Sequence, residues 1–197
     1  MRGSENFLMF LSFVIFVGAV ISIGSTFEEM EKFSITGYAT SSGVVNFTIN
    51  SSASIDFVSS EIDWEAGAVE SGSVWATLDS EGGVVNGTWT VVSEGFVVRN
   101  SGNLNLTLNL TFGKDASSFI SGSGASYMYK VSNVEVGACV PPAGFDLDSY
   151  YEVGSSNLIC DFFQPNKNIN IDLKLVVPAD SSEGALSDIV TIVYESV

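Results

Sequence analysis

The most constraining stretch is Leu104-Asn105-Leu106-Thr107-Leu108-Asn109-Leu110-Thr111-Phe112, nine residues of unbroken apolar–polar alternation. A two-residue period puts all apolar side chains on one face of a strand and all polar ones on the other. Such a strand must bury one face against a second layer. The pattern recurs in Ile169-Asn170-Ile171-Asp172-Leu173-Lys174-Leu175 and in Val45-Asn46-Phe47-Thr48-Ile49. Further strands are predicted over Ala53–Val58, Val74–Leu78, Val84–Val92, Phe96–Arg99, Tyr127–Val131 and Asp188–Glu195. Segments 96–112 and 173–194 each read as strand, turn, strand, with Asn100-Ser101-Gly102-Asn103 and Pro178 marking the turns. Many short strands at even spacing predict an antiparallel, immunoglobulin-like β-sandwich. Trp64, Trp75 and Trp89 are expected in its core.

The start of the chain has another character. Phe7–Ile23 (FLMFLSFVIFVGAVISI) holds no charge and no Pro. Its seventeen residues reach the short end of what a helix needs to cross a bilayer core. Arg2 precedes it, and Glu28, Glu29 and Glu31 follow. Basic residues favour the cytoplasmic side, so the remainder of the chain is expected outside. The predicted class is therefore mainly β, with a long apolar N-terminal α-helix leading into the sandwich. The expected domains are residues 1–33, with an apolar transmembrane helix, and residues 34–197, an extracellular β-sandwich. Gly18 and Ser22 lie four apart, a small-xxx-small spacing that lets helix backbones approach closely.

Arg2-Gly3, followed at once by Ser4, Glu5 and the apolar run, resembles the start of archaeal type IV pilins and archaellins. In that family a dedicated peptidase cuts after a basic-residue–Gly pair. The apolar helix then packs with its neighbours in a filament core. The resemblance implies processing at Arg2 and Gly3, with Glu5 near the new N-terminus. It also implies helix packing through Glu5, Gly18 and Ser22, and the chain itself as partner.

Charge narrows the function further. There are 23 acidic residues against 7 basic and no His, a net charge of −16. Nucleic-acid binding needs a basic footprint, which this chain lacks. Without His, the usual Ser–His–Asp and Cys–His nucleophile arrangements are excluded. No phosphate loop or dinucleotide fingerprint occurs. No pair of acids is selected for glycoside chemistry, and neither catalytic nor metal-ligating residues nor a cofactor are expected. Asp146, Asp148 and Asp161 form an acidic neighbourhood that reads as a solvated loop before it reads as a calcium site.

Cys139 and Cys160 are the only cysteines, and in an exported chain an isolated pair predicts a disulfide. Five N-x-S/T sequons occur, at Asn46, Asn50, Asn86, Asn105 and Asn109. Asn105 and Asn109 share the polar face of their strand, about 13 Å apart. They are expected on exposed surface, open to N-linked glycans. These features converge on a structural subunit of an extracellular filament, in or derived from the cytoplasmic membrane. The alternatives are a membrane-anchored adhesive glycoprotein, or a secreted fibre protein that polymerises by donating a strand such as Gly43–Asn50 to a neighbour.

Overall fold

The chain divides into two units, Met1–Thr48 and Ile49–Val197. The computed structural model describes residues 50–154 and 157–197. They form eleven strands and one short helix: β1 (Ile55–Ser59), β2 (Trp75–Asp79), β3 (Val84–Val85), β4 (Phe96–Asn100), β5 (Leu106–Phe112), α1 (Ala116–Phe119), β6 (Ser126–Asn133), β7 (Cys139–Val140), β8 (Tyr150–Glu152), β9 (Asn157–Phe163), β10 (Asn168–Pro178) and β11 (Val190–Ser196).

Seven strands make one antiparallel sheet and four make a second, in the order β11-β5-β9-β7. The two inner faces enclose the core, giving a sandwich-like fold. Leu106, Leu108 and Leu110 of β5 are fully buried, as the alternation requires. They meet Val98, Ile169, Ile171, Tyr127 and Tyr129 from the larger sheet in one cluster. Phe112 packs across the gap on Tyr127 and Tyr129, with ring centroids 5.3 and 5.4 Å apart. Edge and tilted contacts of this kind add to the area term that dominates core stability.

The larger sheet forks. β10 has eleven residues, about twice the length of β2 or β4, which share one of its edges. Along one edge it pairs first with β4, Asn168–Ile171 opposite Arg99–Phe96, and then with β2, Lys174–Pro178 opposite Asp79–Trp75. Its other edge pairs with β6 from Ile169 to Val176. At the fork, Ser80 bridges the gap: its N–H donates to the Leu173 carbonyl at 3.0 Å, and its hydroxyl accepts from the Leu173 N–H at 3.0 Å.

Several expectations require correction. A long apolar helix leading into an immunoglobulin-like sandwich is not what the described chain forms. α1 has four residues, and no described helix is long and apolar enough to cross a membrane. Residues 7–23, which carried that expectation, lie outside the described residues, as does the strand expected at 45–49. Of the two sheets, the larger is forked, centred on β10, and the smaller is an unbranched row of four strands.

The two expected hairpins do not form. β4 pairs with β1 and β10, whereas β5 pairs with β11 and β9. The turn at residues 101–105 therefore carries the chain between sheets, as does the connection from β10 to β11. The predicted strand at Val84–Val92 shrinks to Val84–Val85. Beyond it the chain runs irregularly alongside residues 64–70, joined by Thr90 N–H to Trp64 O and Thr88 N–H to Ala68 O. Trp89 there packs against Gly67 and Gly87, where a Cβ would lie only 2.4 and 2.7 Å from its ring. Trp64 and Trp89 border the core, but Trp75 is 42% exposed, because it shares an outward face with Thr77 and Asp79.

Candidate functional site

The sequon residues fall in distinct settings. Asn50 and Asn105 are exposed, and Asn86 and Asn109 are half-buried. Asn46 lies outside the described residues, as do Arg2, Gly3, Glu5, Gly18 and Ser22. Asn86 sits at a turn with φ 55°, a left-handed conformation that Asn tolerates better than most residues. Asn109 occupies the middle of β5, flanked across the sheet by Val193 of β11 and Leu158 of β9. Both flanking side chains are exposed, as are Val140 and its cross-strand partner Phe162 nearer the other edge. The outer face of the smaller sheet is thus a polar strand, Asn105-x-Thr107-x-Asn109-x-Thr111, bordered by apolar groups.

Cys139 and Cys160 form the expected disulfide, with Cα atoms 5.5 Å apart. It joins β7 to β9, where the register of β9 against β5 shifts twice around Leu108. These irregularities turn both Ile159 and Cys160 inward, and both are fully buried. Asn133 holds the other half of the bridge: its side chain accepts from the Cys139 N–H at 2.7 Å and donates to the Cys139 carbonyl at 3.2 Å.

Asp146, Asp148 and Asp161 do not gather. Among the described residues, no three His, Cys, Asp or Glu side chains are grouped so as to hold a metal ion. A depression of about 310 Å³ is lined by Asp115, Ala116, Ser117, Gly122, Gly124, Ala125 and Val153. Asp115, its one acid, caps α1 by accepting from the Ser118 N–H at 2.8 Å.

The most concentrated chemistry lies at the fork of the larger sheet, on its outer face. Lys130 of β6 stands directly opposite Asp172 of β10. Both are buried for charged residues, at 9% and 3% exposure. Lys130 Nζ lies 2.5 Å from Glu81 Oε1 and 3.8 Å from Asp172 Oδ2. Asp172 Oδ1 accepts from the Ser80 hydroxyl at 2.9 Å, and Oδ2 accepts from Asn170 Nδ2 at 2.9 Å. Tyr150 covers the group, with Lys130 Nζ and Lys174 Nζ 5.2 and 5.3 Å from its ring centroid. Its hydroxyl donates to Glu81 Oε2 at 2.7 Å. Gly95 closes the other side; a Cβ there would come within 2.6 Å of Asp172 Oδ1.

These contacts set the charge states. Burial pushes the Asp172 carboxyl above its ordinary range, more than its hydrogen bonds and Lys130 pull it down. The Lys130 and Tyr150 hydrogen bonds hold Glu81 below the usual carboxylate value. Burial, and then the Glu81 hydrogen bond, raises the Tyr150 phenol. Sequence reasoning missed this cluster. Lys130 and Asp172 fall at outward positions of alternating strands, where a charge is unremarkable, and no local signal marks the fork that buries them.

Comparison with protein families, with characterised proteins and with solved structures finds no match for this chain.

Proposed function

We propose that the chain is a structural subunit of a cell-surface filament. Its apolar segment, residues 7–23, supplies the packed interior and its β-domain the exterior. One observation carries this reading: Arg2-Gly3, Ser4 and Glu5 lead into a charge-free apolar run, which precedes a strongly acidic domain closed by a disulfide. Disulfides persist in oxidising compartments, which favours export. A chain net charge of −16 keeps such subunits apart and soluble at the high local density of a polymer. Chemistry carried on an outer face, as on β5, suits a surface for display.

A membrane-anchored adhesive glycoprotein is the second reading. The exposed Val140, Leu158, Phe162 and Val193 favour it, since apolar groups gathered on one face mark a contact surface. One experiment separates the two. The full chain and Gly18→Leu are expressed, and cell-surface material is fractionated by mass and viewed by negative-stain microscopy. A filament subunit gives high-mass polymer in the unsubstituted chain and at least several-fold less in Gly18→Leu. The β-domain of the variant still forms its disulfide. Strictly monomeric, detergent-soluble chain overturns the filament reading in favour of the anchor.

A further inference from the structure

We propose that Lys130 and Asp172 condense to an amide, which locks β6 to β10 by a covalent bond between side chains. This goes beyond the structural role proposed above and stands whether or not the chain assembles.

Four features of the fork carry the proposal. The first is register. Lys130 and Asp172 are direct cross-strand partners on the same face. Cβ atoms so placed are about 4.5–5.5 Å apart, within the span of a bent lysine side chain reaching an aspartate carbonyl carbon. The second is burial. The two charges sit in a site closed by Tyr150 and Gly95. There a proton transfer from ammonium to carboxylate, which yields an amine and a carboxylic acid, removes two costly charges from low dielectric. Third, the electrophile is held. Donors from Ser80 and Asn170 reach one oxygen each of Asp172. They fix the carboxyl plane and stabilise the charge that develops on oxygen when the carbon is attacked. Fourth, the nucleophile has a proton acceptor, since Glu81 lies against Lys130 Nζ.

An ion pair kept only for stability explains the Glu81–Lys130 contact. It explains less well why Lys130 Nζ stands 3.8 Å from Asp172 Oδ2, beyond hydrogen-bond distance, while neutral donors occupy both carboxylate oxygens.

The atoms balance without a co-reactant. Lys130 ammonium passes one proton to the Asp172 carboxylate. The free amine attacks the Asp172 carbonyl carbon, forming the C–N bond and a tetrahedral adduct. Glu81 takes the surplus proton from nitrogen and returns it to the departing hydroxyl. The C–O bond breaks and one water leaves. Amide and water remain, with the Glu81 carboxylate restored. Glu81 itself is 45% exposed, which gives the water a path out. Fixed proximity replaces chemical activation of the acid, since well-oriented intramolecular partners react at very high effective concentrations.

Peptide mapping of the full chain, reduced and digested with trypsin, tests this. An acylated Lys130 is not cleaved. Locked chain therefore yields peptide 115–167 intact, branched to peptide 168–174 through Asp172 and lighter than their sum by one water. Unlocked chain yields peptides 115–130, 131–167 and 168–174 separately. The branched species is expected in the unsubstituted protein and absent from Lys130→Arg and Asp172→Ala. Glu81→Gln keeps both reacting groups and is expected to slow formation about a hundredfold in a time course after synthesis, the usual scale of general acid–base help. Fully separate peptides from the unsubstituted, folded protein overturn the proposal. An unchanged rate in Glu81→Gln overturns the role given to Glu81.

Discussion

Asn100 Nδ2 donates to the main-chain carbonyl of Phe163 at 2.9 Å, joining the last residue of β4 in one sheet to the last residue of β9 in the other. The same nitrogen donates to the Leu104 carbonyl at 2.8 Å, and Oδ1 accepts from the Gly102 N–H at 3.0 Å. Asn100 is fully buried, and its amide is satisfied at both ends. It holds the corner through which the chain leaves the larger sheet and enters the smaller one.

Asn100→Leu is therefore expected to be severe. It removes three hydrogen bonds and strands two carbonyls, one of them buried with Phe163. Each orphaned buried group costs about 1–3 kcal/mol, so the loss should be about 2–4 kcal/mol. Urea unfolding measures it. A loss below about 1 kcal/mol would show that water or a shifted turn replaces the amide.

That corner also shows where the sequence is legible. Alternation over 104–112 marks β5 and its buried Leu face correctly, because parity is a local property. The same reading joins β4 to β5 as a hairpin, because a Gly-containing turn between two strands looks alike whether the strands pair or part. What separates them is Asn100, whose partners at Leu104 and Phe163 lie 4 and 63 residues away. β9 is hard to read for a related reason, and β7 and β8, of two and three residues, are too short to show a period. Two register shifts place Ile159 and Cys160 on the same side and erase the two-residue period that would have marked β9. The disulfide needed no such detail, since two cysteines in a chain allow one pairing. The Lys130–Asp172 cluster depends on β10 changing partners between Ile171 and Lys174, which no segment of the sequence shows alone.

Parity in β5 gives a paired test. Leu108 is fully buried between the sheets, and Asn109 beside it faces outward. Leu108→Ala should lower stability by about 2–5 kcal/mol through lost transfer energy and an added cavity. Asn109→Ala should stay within about 0.5 kcal/mol, as outward substitutions usually do. Both values come from unfolding midpoints at a common slope. Similar losses from the two would place β5 in the wrong register.

The disulfide closes a loop of sequence separation 21. Its constraint on the unfolded chain is worth roughly 3 kcal/mol. Cys160→Ala should cost about that much and should first loosen β7, which pairs only with β9 among the described strands. Hydrogen exchange would then show lost protection at residues 139–140 while β5 and β10 keep theirs. Uniform loss across both sheets would mean that the bridge stabilises the whole domain and not that edge.

Glu135 makes a pH-dependent contact. Its carboxylate accepts from the Asn168 main-chain N–H at 2.7 Å and from Asn168 Nδ2 at 2.9 Å, at the start of β10. The main-chain bond is the chief reason its pKa falls below the ordinary 4.5. A carboxyl with a lower pKa folded than unfolded contributes stability above the unfolded value and loses it as pH falls through the folded one. Glu135→Gln keeps an acceptor for one of the two donors but carries no charge. The unsubstituted protein should therefore exceed Glu135→Gln by roughly 1 kcal/mol at neutral pH, a charged hydrogen bond discounted for its partial exposure. The gap should close as pH drops below about 4.5. Asp115, held down to about 2 chiefly by the Ser118 hydroxyl, loses its contribution in the same direction. Asp172, in chain where it is not condensed with Lys130, is raised by burial and acts in the opposite direction. Both are present in the two proteins and cancel in the difference. Urea midpoints for the pair at neutral and acid pH measure that difference, and a gap that does not change with pH assigns the effect to shape and not to charge.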